Sequence, residues 1–390
     1  MLGSFFSINS FFTKEITVLA NFDENDGYGL PPVEDFNIED YQQFADKFST
    51  SSLSIQSSQY ILSSSALIDL PSNFDLSTQK NFPPIGSQGS LGSCSSWTST
   101  YYQFTYEAYK DTEIDVKEHP DLAYSPAWTF NLTNGGRNRG IFLYQAYEIL
   151  EQYGALKVGD YPYQPASGEK ANSNNFNFAW SNNTDAMVEA LNERLVNFQA
   201  FEFYADSESV SENLEQIKSL LYGTNGEDGH PLAFSTLFSW KTKNGFDKDS
   251  NDYVGRVAYR CENELDEYGY VVSKGHSMTI VGYDDNIWCD INGNELKDEG
   301  EFGAFKVANS HDVGYGNSGY IWVAYDALNL ETSVSGNWEQ DLVYARRPIF
   351  YYEDDYTNYY DVKKNKLYWI EVGEKEVEYV GQLDIIQMLK

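Results

Sequence analysis

A chain of 390 residues, 44.4 kDa, with 41% hydrophobic residues is long enough to bury one large or two modest cores. Its 59 acidic against 26 basic residues leave a formal net charge of −33 and a pI near 4.3, a surface that repels nucleic acid and anionic membranes and sets both aside as partners. Three cysteines, Cys94, Cys261 and Cys289, exclude a disulfide-stapled scaffold, and no apolar run approaches the roughly 20 residues of a membrane helix.

Met1 to Ala20 carries scattered phenylalanines but no basic start, and Lys14-Glu15 breaks it, which makes it a poor export signal. Asp23 to Asp69 is polar and acidic, with one helix expected around Glu39 to Phe48 and a serine-rich stretch from Ser49 to Ser65. Such composition cannot build a core, so residues 1–69 read as a propeptide-like leader or a plain linker.

Gln88-Gly89-Ser90-Leu91-Gly92-Ser93-Cys94 then places a cysteine behind a glycine-rich turn, with a carboxamide six residues upstream. That combination presents a nucleophile together with an oxyanion donor. Trp97, Tyr101, Phe104 and Ala108 fall on one helical stripe, so Cys94 begins a helix, where unpaired N–H groups and the macrodipole favour a thiolate. Most free cysteines are small buried hydrophobes, but such a role needs neither the glycines nor the glutamine.

Further helices are expected at Ile141 to Tyr153, closed by Gly154, and at Ser211 to Tyr222, stopped by Gly223. Strands are expected at Leu232 to Phe238, Tyr268 to Val272, Ser277 to Val281, Ala304 to Ala308 and Tyr320 to Ala324. A helical half followed by a β half with a cleft between them predicts an α+β domain over residues 70–345. After Asp341, aromatic strands at Pro348 to Tyr352, Lys366 to Val372 and Glu376 to Val380 predict a C-terminal β extension, residues 346–390.

Four histidines are candidates for a base. His119 precedes a proline in a polar loop, and His230 follows a solvated turn. His276 stands where a loop hands over to a β-branched run, and His311 ends another strand before Gly314, Gly316 and Gly319. Strand ends carrying His276 and Asn309, set against the Cys94 helix, supply a nucleophile, a base and a carboxamide that orients the base.

These residues resemble the papain-like cysteine peptidases. Leu70-Pro71-Ser72-Asn73-Phe74-Asp75-Leu76 looks like the start of that family's mature domain, and Phe82-Pro83-Pro84-Ile85 leads into the Gln88 motif. Asn134-Gly135-Gly136, with Gly140, resembles its glycine wall. Tyr161-Pro162-Tyr163 resembles the segment closing the helical half, and Gly314 to Tyr320 the glycine-rich turn after the asparagine. The resemblance, over about residues 70–325, implies a two-lobed fold with a helical lobe and a β-barrel-like lobe. It implies Cys94 as nucleophile, His276 as its ion-pair partner and proton donor, and Asn309 as orienter. Gln88 and the Cys94 N–H would form the oxyanion hole, whose donors are each worth about two to three orders of magnitude in rate. Gly92, Ser93, Gly135, Gly136, Gly275 and His311 would lie around the substrate.

Three departures stand out. Leu91 occupies the place of a cysteine that braces the nucleophile loop by a disulfide, leaving Cys261 and Cys289 as the possible intramolecular pair. Ser95 replaces the tryptophan after the nucleophile. His311 replaces a tryptophan whose indole shields the histidine–asparagine bond from water, and either covers that bond as a flat ring or shifts the pH profile.

Between the His276 and Asn309 strands, the 12 residues from Asp290 to Glu301 have the ligand spacing of an EF-hand calcium loop. Asp290, Asn292, Asn294, the carbonyl of Leu296, Asp298 and Glu301 would be the ligands. Glu295 stands where the turn wants glycine. Asp247-Lys248-Asp249-Ser250-Asn251 begins similarly but has Ala258 at the closing position and reads as a solvated turn.

The expected protein is therefore a monomeric, secreted or cell-surface thiol endopeptidase acting on proteins or peptides. It would need no catalytic cofactor and would carry a structural calcium ion. Two other readings are a Cys-His-Asn transamidase and an inactive calcium-binding adhesion protein on the same scaffold.

Overall fold

The computed structural model describes residues 70–135, 138–163, 184–204, 210–223, 229–237, 240–261, 275–328 and 364–373. The leader before Leu70, Gly136, and the strands expected at Tyr268 to Val272, Pro348 to Tyr352 and Glu376 to Val380 lie outside the described residues.

A short strand β1 (Asn73–Asp75) precedes a helix that begins at Cys94, as expected. It runs as α1 (Cys94–Ser96), a π-helical stretch (Trp97–Phe104) and α2 (Thr105–Tyr109). Hydroxyls help widen it, because the Ser99 Oγ donates to the Ser95 carbonyl at 2.7 Å and the Thr105 Oγ1 to the Thr100 carbonyl at 3.4 Å. The expected apolar stripe is part of a helix buried on all sides from Cys94 to Glu107. Around it pack α3 (Pro126–Asn134) and α4 (Leu143–Tyr153), and α5 (Thr184–Ala190) joins the same core through Ala186, Met187 and Ala190. Pro126 opens α3 where its missing N–H does no harm, and Gly154, at φ 63, closes α4 by donating to the Leu150 carbonyl at 3.1 Å.

Among the described residues, the β half is one nine-stranded sheet. After β2 (Arg194–Tyr204) and α6 (Val210–Tyr222) come β3 (Leu232–Leu237), β4 (Trp240–Asp247), β5 (Tyr253–Cys261), β6 (Gly275–Trp288), β7 (Phe302–Ala308), β8 (Tyr320–Ala324) and β9 (Lys364–Gly373). The order is β2-β9-β3-β6-β4-β5-β8-β7, and β7 also pairs β6, so five of the strands close a ring. All pairs are antiparallel except β5 with β8. The described elements are thus α+β.

β6 organises the sheet. It is longer than the expected Ser277 to Val281, because β3, β1 and β4 pair it in succession and β7 also runs along it. These ladders carry it through Asp284-Asp285-Asn286, which propensity alone reads as a turn. A Cβ on Gly282 would sit 2.3 Å from the Phe74 carbonyl oxygen, so glycine is what lets β1 cross there.

Within the segment expected as a separate C-terminal extension, β9 lies inside this sheet. It pairs β2 along ten positions and β3 at one, and Ile370 is buried in the main core with Leu195, Phe234 and Ile280. Cys289 is a free, buried thiol, and the strand register separates it from Cys261. Cys261 faces Trp240 at one end of β4, whereas Trp288 faces Phe246 near the other. Six residues of strand amount to about 20 Å, far beyond disulfide reach. Among the described residues no helix is long and apolar enough to cross a membrane.

Candidate active site

His276 is the second residue of β6 and Asn309 the first after β7. Thr279 faces Ala308 in the β6–β7 ladder, so continuing that register sets Asn309 beside Met278 and His311 beside His276. Alternation then puts His276, Asn309 and His311 on one face. Their side chains meet accordingly. His276 Nε2 lies 2.7 Å from Asn309 Oδ1, and the His276 and His311 rings have centroids 4.7 Å apart with planes at 41°.

Hydrogen-bond partners assign the protons here. Asn309 Oδ1 also accepts the Ser310 N–H at 2.8 Å, so that atom is the amide oxygen and His276 Nε2 must donate to it. In the neutral ring, Nδ1 is therefore the nitrogen that accepts a proton. His276 and Asn309 are both 0% exposed, so the bond between them is dry with His311 in the place of an indole.

Burial pushes the His276 pKa well below the ordinary histidine value, His311 lowers it further, and the bond to Asn309 opposes both.

Cys94 opens α1 behind Ser93 and is a free thiol, 0% exposed. Its neighbour Ser95 accounts for one departure from the family pattern. The Ser95 Oγ donates to the Ile141 carbonyl at 2.7 Å and lies 3.1 Å from the Ser277 Oγ, which is itself 3.1 Å from the Ser235 Oγ. Hydroxyls one residue beyond Cys94 and one beyond His276 therefore touch, which joins the helical half to β6 beside both candidates.

The loop before Cys94 is held without a disulfide. Leu91 is buried in an apolar cluster with Phe130, Ile141 and Ala146. The Gly92 N–H donates to Asn138 Oδ1 at 2.9 Å. The Tyr163 hydroxyl donates to the Gln88 carbonyl at 2.8 Å and lies 2.6 Å from the Ser93 Oγ. Burial keeps this phenol well above its usual range, so it stays a neutral donor.

Gln88 is 0% exposed. Its Nε2 donates to the Leu91 carbonyl at 2.8 Å, its Oε1 accepts from the Ser310 Oγ, and its backbone N–H donates to the Ser310 carbonyl at 2.8 Å. Ser310 thus ties Gln88 to Asn309 and, through it, to His276. Tyr102 adds a strut by donating its hydroxyl to the Asn309 carbonyl at 2.8 Å.

The remaining expected residues are more scattered. Gly135 caps α3 at φ 68, Gly275 is the first residue of β6 opposite Leu237, and Gly136 is outside the described residues. Sequence reasoning missed Ser277, Ser310, Asn138 and Tyr102, and it gave Tyr163 no role. None of the four carries a motif, and only the fold brings their polar atoms to the site.

In the Asp290 loop, Asp290 Oδ1 accepts the N–H groups of Gly293 and Asn294 at 2.7 and 3.1 Å. Glu295 adopts the left-handed φ of 62 that the sixth position of such a loop requires. Asn292 and Asn294 both donate their side-chain amides to Asp298 Oδ2, at 2.8 and 2.7 Å. Glu301, 1% exposed, accepts from Ile291 N and from the Trp288 indole. Lys243 caps the Asp290 and Ile291 carbonyls. Among the described residues, no three His, Cys, Asp or Glu side chains are placed to hold a metal. Asp247, by contrast, caps its own exposed turn by accepting from Asp249 N and Ser250 N.

No family model matches the chain, and no curated protein matches it. Solved structures of papain-like cysteine proteases are similar to it. Xylellain, a cysteine protease from Xylella fastidiosa, is 14% identical, with 89% of this chain and 96% of that one covered and a TM-score of 0.47. Procathepsin B S9 from Trypanosoma congolense is 15% identical, with 80% of each chain covered and a TM-score of 0.41. Bromelain from Ananas comosus in complex with the E64 inhibitor is 12% identical, with 77% of this chain and 99% of that one covered and a TM-score of 0.40. Likeness at this level does not carry residue roles across, so the roles proposed below come from the site itself.

Proposed function

We propose that the chain is a papain-type thiol peptidase that hydrolyses peptide bonds in proteins through an acyl-enzyme on Cys94. The buried His276–Asn309 hydrogen bond carries this reading, because it leads through Ser310 to Gln88, while the contact between Ser277 and Ser95 reaches the residue beside Cys94. A structural histidine needs one satisfied nitrogen, but not a carboxamide train ending beside a cysteine at a helix start.

In this mechanism the Cys94 Sγ attacks the scissile carbonyl and its proton passes to His276 Nδ1. Asn309 keeps Nε2–H engaged and so holds the ring in that tautomer. The Gln88 carboxamide and the Cys94 N–H receive the oxyanion. His276 then gives its proton to the leaving amine, and later takes one from the water that releases the acyl group.

An epoxide inhibitor directed at thiol peptidases, with mass-spectrometric mapping of the label, tests this. Label is expected on Cys94. Cys289 is a poor competitor, because burial, opposed by nearby Lys243, pushes its thiol up to about 12. A label on Cys261 or Cys289 alone would overturn the assignment. Product analysis with added amines separates hydrolysis from transamidation.

Three further attributes are proposed with this reading. Residues 1–69 act as a leader, so that a chain beginning at Leu70 remains folded and active as a monomer. The setting is extracellular or on the cell surface, where a net charge of −33 keeps the chain soluble. The Asp290 loop takes calcium. The left-handed Glu295 supports this, and an ion would have to draw Asp298 away from the two asparagine amides.

A further inference from the structure

We propose that His311 sets the acid limit of this site: a proton on His311 bars the one that His276 must carry to the leaving group. The effect on turnover rests on the peptidase reading, whereas the coupling between the rings does not.

Two imidazoles with centroids 4.7 Å apart repel strongly when both are charged. Their surroundings decide which is protonated first. His276 is 0% exposed. His311 is partly buried, with its Nε2 enclosed, so its cation loses less hydration than that of His276 and takes the first proton. The second must then enter the buried ring beside an existing positive charge. An indole at position 311 would cover the same bond without competing for a proton.

Other groups facing the pair do not offset this charge. α1, which opens with Cys94, packs against β6, Thr236 is the neutral partner of His276 on β3, and Ser87 and Gln88 beside His311 are neutral. In the loop after β7, the Tyr315 ring meets His311 edge-on at 5.9 Å. Asp312 is exposed, and its carboxylate accepts the Val313 N–H at 2.5 Å. The low pKa of His276, ascribed first to burial and then to His311, agrees with the geometry.

The test compares wild type with His311→Phe, which keeps a flat ring, and with His311→Gln, which keeps polarity. All four histidine rings are followed by NMR against pH, with His119 and His230 as internal controls. Where the rings are coupled, the His276 midpoint is expected to rise by at least about one pH unit in both variants. The acid limb of kcat/KM should move to lower pH by about one unit, which is about tenfold in relative rate on that limb. Plateau height is not the readout, since a change of packing alone would lower it. An unmoved His276 midpoint in both variants overturns the proposal, whether or not the chain cleaves peptides. A shifted midpoint with an unmoved acid limb in an active enzyme overturns the claim on catalysis. A shifted midpoint in a chain that cleaves nothing confirms the coupling and counts against the peptidase reading instead.

Discussion

Two loops in this molecule look equally functional in sequence, Gln88 to Cys94 and Asp290 to Glu301, yet they are held in opposite ways. The first is mostly buried, and besides bonds within the loop its polar atoms are taken by distant residues: Ser310 on Gln88, Asn138 on Gly92, Tyr163 on both Gln88 and Ser93. The second is largely exposed, and its side chains mostly satisfy N–H groups and amides of the same twelve residues. Long-range bonds cost conformational entropy across the whole chain and persist only where the fold is built around them. Local bonds form in any acidic turn. The contrast is why the peptidase proposal rests on the first loop and not on the second.

The largest effects should come from breaking the first loop's chemistry. Cys94→Ser and His276→Ala should each lower kcat/KM by at least about three orders of magnitude, with the fold retained by circular dichroism. A serine variant keeping most activity would remove Cys94 from the mechanism. Asn309→Ala should lose less activity than His276→Ala, because orientation is the smaller role. It should still destabilise the fold by about 1–3 kcal/mol, since it strips an acceptor from two buried donors. Equal kinetic losses would mean that Asn309 does more than orient.

Next come the long-range ties themselves. Tyr163→Phe removes the donor to Gln88 and the partner of Ser93 at once, and Ser310→Ala leaves Gln88 Oε1 without that hydroxyl. Each should lower kcat by about tenfold, through the oxyanion donors rather than through KM. Ser277→Ala, which cuts the contact with Ser95, should destabilise by about 1 kcal/mol. If Tyr163→Phe left kcat unchanged, the loop would be held by Leu91 packing alone.

Acid should weaken the fold through His276. Its folded pKa lies below the ordinary value, so the unfolded chain takes up a proton first as pH falls. Stability from this group is complete above about 6.5 and declines below it toward the folded value. A urea midpoint measured from pH 7.5 to 4.5 should therefore fall less steeply for His276→Gln than for wild type. Parallel slopes would show that other groups govern acid unfolding.

Much of this site was legible before any coordinates. Cys94 at a helix start, His276 and Asn309 at neighbouring strand ends, and Tyr320 to Ala324 as a strand all follow from turn residues and β-branched runs. What could not be read depends on partners far away in sequence. β4 reads Trp240-Lys241-Thr242-Lys243-Asn244-Gly245-Phe246-Asp247, too polar to suggest a strand, and forms because β5 pairs with it. β9 looked like part of a separate module because nothing local shows that β2 would accept it. Ser277 and Ser310 are ordinary serines until the sheet register brings them beside Ser95 and Gln88.

The smallest expected effect tests the second loop. The Asn292 and Asn294 amides share Asp298 Oδ2 and Glu301 accepts buried N–H groups, so an ion must displace bonds that already satisfy the loop. Affinity should be correspondingly weak. At a free calcium concentration 100 times the dissociation constant, linkage stabilises the fold by about 2.7 kcal/mol, which for a chain of this length is a melting-temperature rise of a few degrees. Glu301→Gln keeps the side-chain shape and removes the charge, so it should abolish the calcium response while lowering the calcium-free melting temperature only modestly. Wild type that shows no shift after thorough chelation and readdition would make the Asp290 loop a self-satisfied acidic turn. The Cys94 site would be unaffected by that outcome, because none of the bonds that hold it passes through this loop.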